Sequence, residues 1–134
     1  MNGHPDFKNF TSRVEIKPDG SHLMEWWRRA AFWEASPDIL EERTLEYIKA
    51  GPRGEEIHWA SGSYDLKHRL PLINCSTLVL SGTLDPFYPV AEKIKKLLPK
   101  GKLTVIESGS IYVTRILPEE YAGAVLNFLN TPGE

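Results

Sequence analysis

The sequence has one cysteine, two methionines and no long apolar run. A single cysteine, Cys75, cannot close a disulfide within the chain, so a reducing, cytoplasmic setting is expected. Apolar runs of only a few residues leave no candidate for a membrane-spanning helix. No basic excess exists either. Sixteen Lys and Arg face eighteen Asp and Glu, giving a net charge of -2 and an isoelectric point near 6.1. That balance excludes a general binder of phosphate backbones. The N-terminal stretch MNGHPDFKNF is polar, carries an early acid, Asp6, and lacks the form of a secretory signal. No G-x-G-x-x-G is present, so Gly82 and Gly109 are expected to serve turns at strand ends and not a dinucleotide site.

What remains is an ordinary globular composition, with 41% hydrophobic and 25% charged residues over 134 positions. The character shifts along the chain. Residues 1–68 are rich in tryptophan and read mostly as helix. Residues 69–134 alternate apolar strands with amphipathic helices. In the first part, Arg13–Lys17 alternates sides like a short strand, and Pro18-Asp19-Gly20 forms a turn. Leu23, Trp26, Trp27, Ala30 and Trp33 then share one helical face. Ser36-Pro37-Asp38 opens a second helix, which sends Leu40, Leu45 and Ile48 inward and stops at Gly51-Pro52. A third helix is expected from Glu55 to about Leu66, with Gly62 as a weak point.

In the second part, Thr77–Leu80 followed by Ser81-Gly82 reads as a strand covered on both faces. Pro89–Leu98 reads as a helix, Leu103–Ile106 as a second strand, and Pro118–Asn130 as a closing helix. Its apolar side carries Tyr121, Val125, Phe128 and Leu129. Strand–helix–strand–helix with short connections implies an α/β layer with parallel strands. Ligands of such sheets bind beyond the carboxyl ends of the strands. Two segments lie there, Ser81–Pro89 and Glu107–Val113. Asp85, just past a strand end, is placed to orient an imidazole delivered by the neighbouring loop, or simply to cap its own turn.

The run Arg69 to Asp85, RLPLINCSTLVLSGTLD, resembles the stretch leading to the catalytic acid of the α/β-hydrolase superfamily. Leu103–Gly109 and the later P-E-E-Y…F-L resemble that family's last strand and closing helix, and the tryptophan-rich part resembles its helical cap. The resemblance implies a partial α/β-hydrolase-like parallel sheet with a cap. It also implies a parent activity of ester- or amide-type hydrolysis through a serine nucleophile, with no cofactor. It assigns the acid of the triad to Asp85. The family's G-x-S-x-G elbow is absent here; Ser63 and Ser110 follow glycines in the wrong spacing. Counting back from Pro118, the histidine position falls on Ile111, which cannot accept a proton.

On this reading the chain is a portion of a hydrolase-like fold, or a relic of one, and is inactive alone. The alternative is a non-catalytic module of the same origin that binds a small molecule or a protein. His4, His22, His58 and His68 all precede Asp85, the reverse of the family's order. Trp26, Trp27, Phe32 and Trp33, with Phe87 and Tyr112, are candidates to line an apolar pocket; the competing reading of the tryptophans is helix-packing core. His58, Asp65 and His68 match no metal-ligand spacing. Lys93, Lys95, Lys96, Lys100 and Lys102 form a solvated basic face. Cys75 is expected to be buried and inert. The expected partners are a small apolar ester-like ligand, and a second copy or a complementing N-terminal segment. No nucleic acid or membrane is expected.

Overall fold

The computed structural model describes residues 14–31, 35–51 and 56–131. The chain divides into two units, Met1–Tyr64 and Asp65–Glu134. Arg13 lies outside the described residues, and Val14–Lys17 is not a strand. The following turn forms as its residues require. Gly20 adopts a positive φ of 75°, its N–H donates to the Lys17 carbonyl at 3.1 Å, and the Asp19 carboxylate accepts from the Ser21 N–H at 3.0 Å. Helix α1 (His22–Ala31) follows, and then α2 (Pro37–Ala50).

Pro37 opens α2 with a backbone that needs no donor there. Gly51 closes it in a positive-φ conformation (57°), returning its N–H to the Tyr47 carbonyl. Ser36 stands at the N-cap in extended backbone, but its side chain makes no capping bond. The two helices pack on each other. Trp26 and Ala30 are buried from α1, and Ile39, Leu40 and Thr44 from α2. Leu45 and Ile48, expected inward, are 50% and 40% exposed. Leu23 on α1 is exposed as well. The rings of Trp26 and Tyr47 stack at 5.4 Å with planes 13° apart, and that stack sets which face of α2 turns inward. Helix α3 (Glu56–Ser63) ends three residues before the expected Leu66, just after Gly62.

The second unit begins with a short helix, α4 (Leu66–Arg69), capped by Asp65, and a 3-10 turn over Leu70–Leu72. Strand β1 (Thr77–Gly82), helix α5 (Tyr88–Leu97) and strand β2 (Gly101–Ile106) then form a β-α-β unit. The strands are parallel and in unbroken register from Thr77↔Gly101 to Gly82↔Ile106. A short helix, α6 (Val113–Ile116), precedes the closing helix α7 (Pro118–Asn130). Helices α5 and α7 pack on both strands, burying Ala91, Leu98 and Ile106. The fold class is therefore α/β, a small parallel sheet with packed helices, as the strand–helix alternation implied.

The covering of the sheet is partial. Leu78, Val79 and Leu80 are only half-buried, and Leu129, expected on the apolar side of α7, is exposed. Among the described residues no helix is long and apolar enough to cross a membrane.

Candidate functional site at the carboxyl ends of the strands

The loops after β1 and β2 are fastened to each other by backbone. The Thr83 N–H donates to the Ile106 carbonyl at 3.1 Å, and the Leu84 N–H to the Gly109 carbonyl at 2.9 Å. At the crossing, Gly82 and Gly109 touch main chain to main chain. A Cβ on Gly82 would overlap the Gly109 carbonyl, and one on Gly109 would stand 3.0 Å from the Gly82 Cα. Only glycine admits that approach. Thr83 adds a side-chain link. Its hydroxyl donates to the Glu107 carboxylate at 3.2 Å and accepts from the Ser108 N–H at 2.8 Å. Ser108 turns the corner with a φ of 59°, in the left-handed region.

This fastening brings Asp85 and Ile111 onto neighbouring loops. Asp85 follows two turn residues after β1, with its N–H on the Gly82 carbonyl and its own carbonyl accepting from Tyr88. Its carboxylate accepts from the Phe87 N–H at 2.7 Å. The carboxylate is therefore held in place by the turn it starts, and its second oxygen is available for another donor. Ile111, half-buried, lies in the loop after β2, five residues past the end of that strand. Ser110 and Tyr112 beside it are buried, and the Ser110 hydroxyl accepts from the Tyr112 N–H at 3.1 Å.

The remaining candidates are dispersed. His68 bonds Asp65, Nδ1 to carboxylate at 2.7 Å, with both side chains exposed. The Nδ1 of His22 accepts the Lys17 N–H. His4, Phe32 and Trp33 lie outside the described residues, as does the side chain of His58. Ser63 ends α3 and donates to the Ala60 carbonyl, so it stands at no strand-to-helix elbow. Trp26 is core of the first unit and Trp27 is half-buried; Phe87 in the second unit is exposed. A hollow lies in the first unit. It measures about 510 Å³, and its lining includes Lys17, His22, Glu25, Arg28 and Arg29. Cys75 is exposed, not buried: it precedes β1 in an open turn whose carbonyl accepts from the Thr77 hydroxyl. Among the described residues no three His, Cys, Asp or Glu could hold a metal ion together.

Sequence reasoning missed Thr83 and Ser108 as fasteners of the site. Nothing in a threonine after a strand, or in a serine, announces a cross-loop bond or a positive φ.

Comparison with known proteins gives one distant, hydrolase-like relation. The chain is 26% identical over 132 residues to a proline iminopeptidase of Heyndrickxia coagulans, covering 97% of this chain and 45% of that protein. It thus spans less than half the length of that relative. No protein-family model and no solved structure matches it.

Proposed function

We propose that this chain is an α/β-hydrolase-like portion that supplies the acid position of a Ser-His-Asp arrangement, and that it has no triad-dependent hydrolysis by itself. One observation carries the reading. Asp85 stands at the carboxyl end of a parallel strand, on a loop bonded to the loop that presents Ile111. In such an arrangement a carboxylate fixes the tautomer of an imidazole and supports its positive charge. Isoleucine offers no proton acceptor, so the relay from nucleophile to base is broken at that position. The parent reaction is attack of a serine on an ester, amide or peptide carbonyl, with water releasing the acyl group. The distant peptidase relative supports that class. The single, exposed cysteine is compatible with a reducing compartment such as the cytoplasm.

Two assays test this. The purified chain, given proline 4-nitroanilide and 4-nitrophenyl acetate, is expected to show no turnover above buffer. Turnover that disappears in Asp85→Ala would overturn the proposal. The second assay does not need activity. In Ile111→His, the new imidazole is expected to titrate higher than in Ile111→His/Asp85→Asn, because a neighbouring carboxylate favours the charged ring. Equal NMR midpoints in the two backgrounds would show that Asp85 does not serve that position.

A second reading has its own observation. Leu84 and Phe87, on either side of Asp85, are exposed apolar residues. They suit a non-catalytic module that holds a small apolar molecule or a protein segment at this loop. Binding of such a ligand that is lost in Phe87→Ala but kept in Asp85→Asn would favour it.

A further inference from the structure

We propose that the hollow of the first unit binds a small carboxylate that carries a branched apolar group, as a free acid or as the C-terminal end of a peptide. Among the described residues that line it, Lys17, Arg28 and Arg29 are fixed cations, and Glu15 and Glu25 are the acids. Three positive charges against two negative leave one positive charge, in a chain whose net charge is -2. The hollow, about 510 Å³, therefore has the sign opposite to that of the whole molecule.

Arg29 is the least accessible of these cations. Its side chain is only 8% exposed, so the guanidinium is held largely out of water. Its Nε donates to the Glu25 carboxylate at 3.2 Å, and the same carboxylate lies 3.9 Å from Nη1 of Arg28. One carboxylate thus serves two guanidiniums. A cation kept from water is costly unless its charge is matched, and a second carboxylate in the hollow completes the match. Guanidinium forks suit that group, because they can take both of its oxygens at once.

His22 supplies a donor that does not depend on protonation. Its Nδ1 accepts the Lys17 N–H at 3.3 Å, so in the neutral ring the proton sits on Nε2. The start of α1 is not the seat of the anion, since the Asp19 carboxylate already accepts from the Ser21 N–H there. Recognition falls to the side chains.

The apolar part of the ligand follows from a second, smaller hollow of about 60 Å³. It shares Val14 and His22 with the first, and its walls include Ile16, Trp26 and Ile48. Ile16 is 73% exposed and Ile48 40%, so apolar surface there awaits cover. The two hollows meet at His22, which places the anionic and apolar groups a few bonds apart on one small molecule. The site uses no residue of the second unit and does not rest on the hydrolase reading.

Titration of the whole chain, followed by amide NMR, tests this with two probes, 4-methylpentanoate for the free acid and N-acetyl-leucine for the peptide end. Saturable shifts are expected at Lys17, His22, Arg28 and Arg29 and at the Trp26 indole. Saturation by either probe supports the site, and the tighter of the two names the source. N-acetyl-leucine amide, which lacks the charge, and acetate, which lacks the apolar group, are each expected to bind more weakly. Lys17→Gln/Arg28→Gln changes only exposed side chains and is expected to weaken binding about tenfold. Arg29→Lys, which keeps the charge and loses the fork, is expected to weaken it as well, and circular dichroism establishes that each variant is folded. Absence of saturable shifts with both probes overturns the proposal. So does equal binding of the amide, or binding unaffected by Lys17→Gln/Arg28→Gln.

Discussion

At Gly82 the volume of one methyl group decides whether two loops can meet. A Cβ there lands on the Gly109 carbonyl, and backbone on both sides has no rotamer with which to yield. Gly82→Ala is expected to destabilise the chain by about 2 to 3 kcal/mol, read from urea unfolding. Gly123 is the contrast: it lies within α7, and nothing stands within 4 Å of its absent Cβ. Gly123→Ala should stabilise by about 0.5 to 1 kcal/mol. Asp19 is held below the usual carboxylate range by the Ser21 N–H it accepts. Because its folded pKa is depressed, its contribution is present above the ordinary carboxylate pKa and is lost as pH falls through the folded value. An NMR titration of the Asp19 carboxyl should therefore find a midpoint below that of an unstructured peptide, and Asp19→Asn should flatten the acid limb of stability. Cys75, being exposed, should react with a thiol reagent in the native chain as fast as in the unfolded one. Strong native-state protection would contradict its placement.

Among the elements, α1 and α2 depend on a layer of planar groups. Trp26 stacks on Tyr47, the Arg29 guanidinium lies 5.2 Å from the Trp26 ring centre, and that of Arg43 lies 4.9 Å from Tyr47. Trp26→Ala removes the shared member and is expected to cost about 3 kcal/mol; Tyr47→Phe, which keeps the ring, should cost far less. This layer also shows where the sequence was readable. The 3.6-residue spacing located α1, and Trp26 and Ala30 face inward as it implied. The spacing could not say that Arg29 would also be buried, because that depends on Glu25 one turn away and on the ring beneath it. Leu45 and Ile48 were misplaced for the same reason: the inward face of α2 is chosen by Tyr47 meeting Trp26 across the helix pair. Pro118 and the Val125–Phe128 spacing made α7 legible to its ends. The β-branched run made both strands legible, though β2 begins two residues before Leu103. At the site, the place of Asp85 just past a strand was legible, but its role and the choice of Ile111, counted back from Pro118, rest on the family resemblance. The glycine crossing and the Thr83 link were not legible, since both arise between segments that are distant in sequence.

For the molecule as a whole, weak net charge and many exposed apolar side chains act together. The isoelectric point near 6.1 removes charge repulsion between copies close to pH 6. Leu126 and Leu129 on α7, like Leu72 and Leu84, remain exposed there. Solubility is expected to be lowest near pH 6 and to rise toward pH 8, as measured by turbidity at fixed concentration. A pH-independent solubility would mean that the apolar exposure is too small to drive association.

The constant offset between the strands has a kinetic consequence. Every β1 residue meets a partner 24 positions later, the same separation as the Thr83–Glu107 bond. That is short for a parallel pairing, and loop-closure entropy grows only with the logarithm of the segment closed. The β1–α5–β2 segment can therefore collapse early, before contacts of longer range are established. In refolding followed by pulsed hydrogen exchange, the amides of Lys102 and Thr104, which face β1 in this register, should gain protection ahead of those in α7.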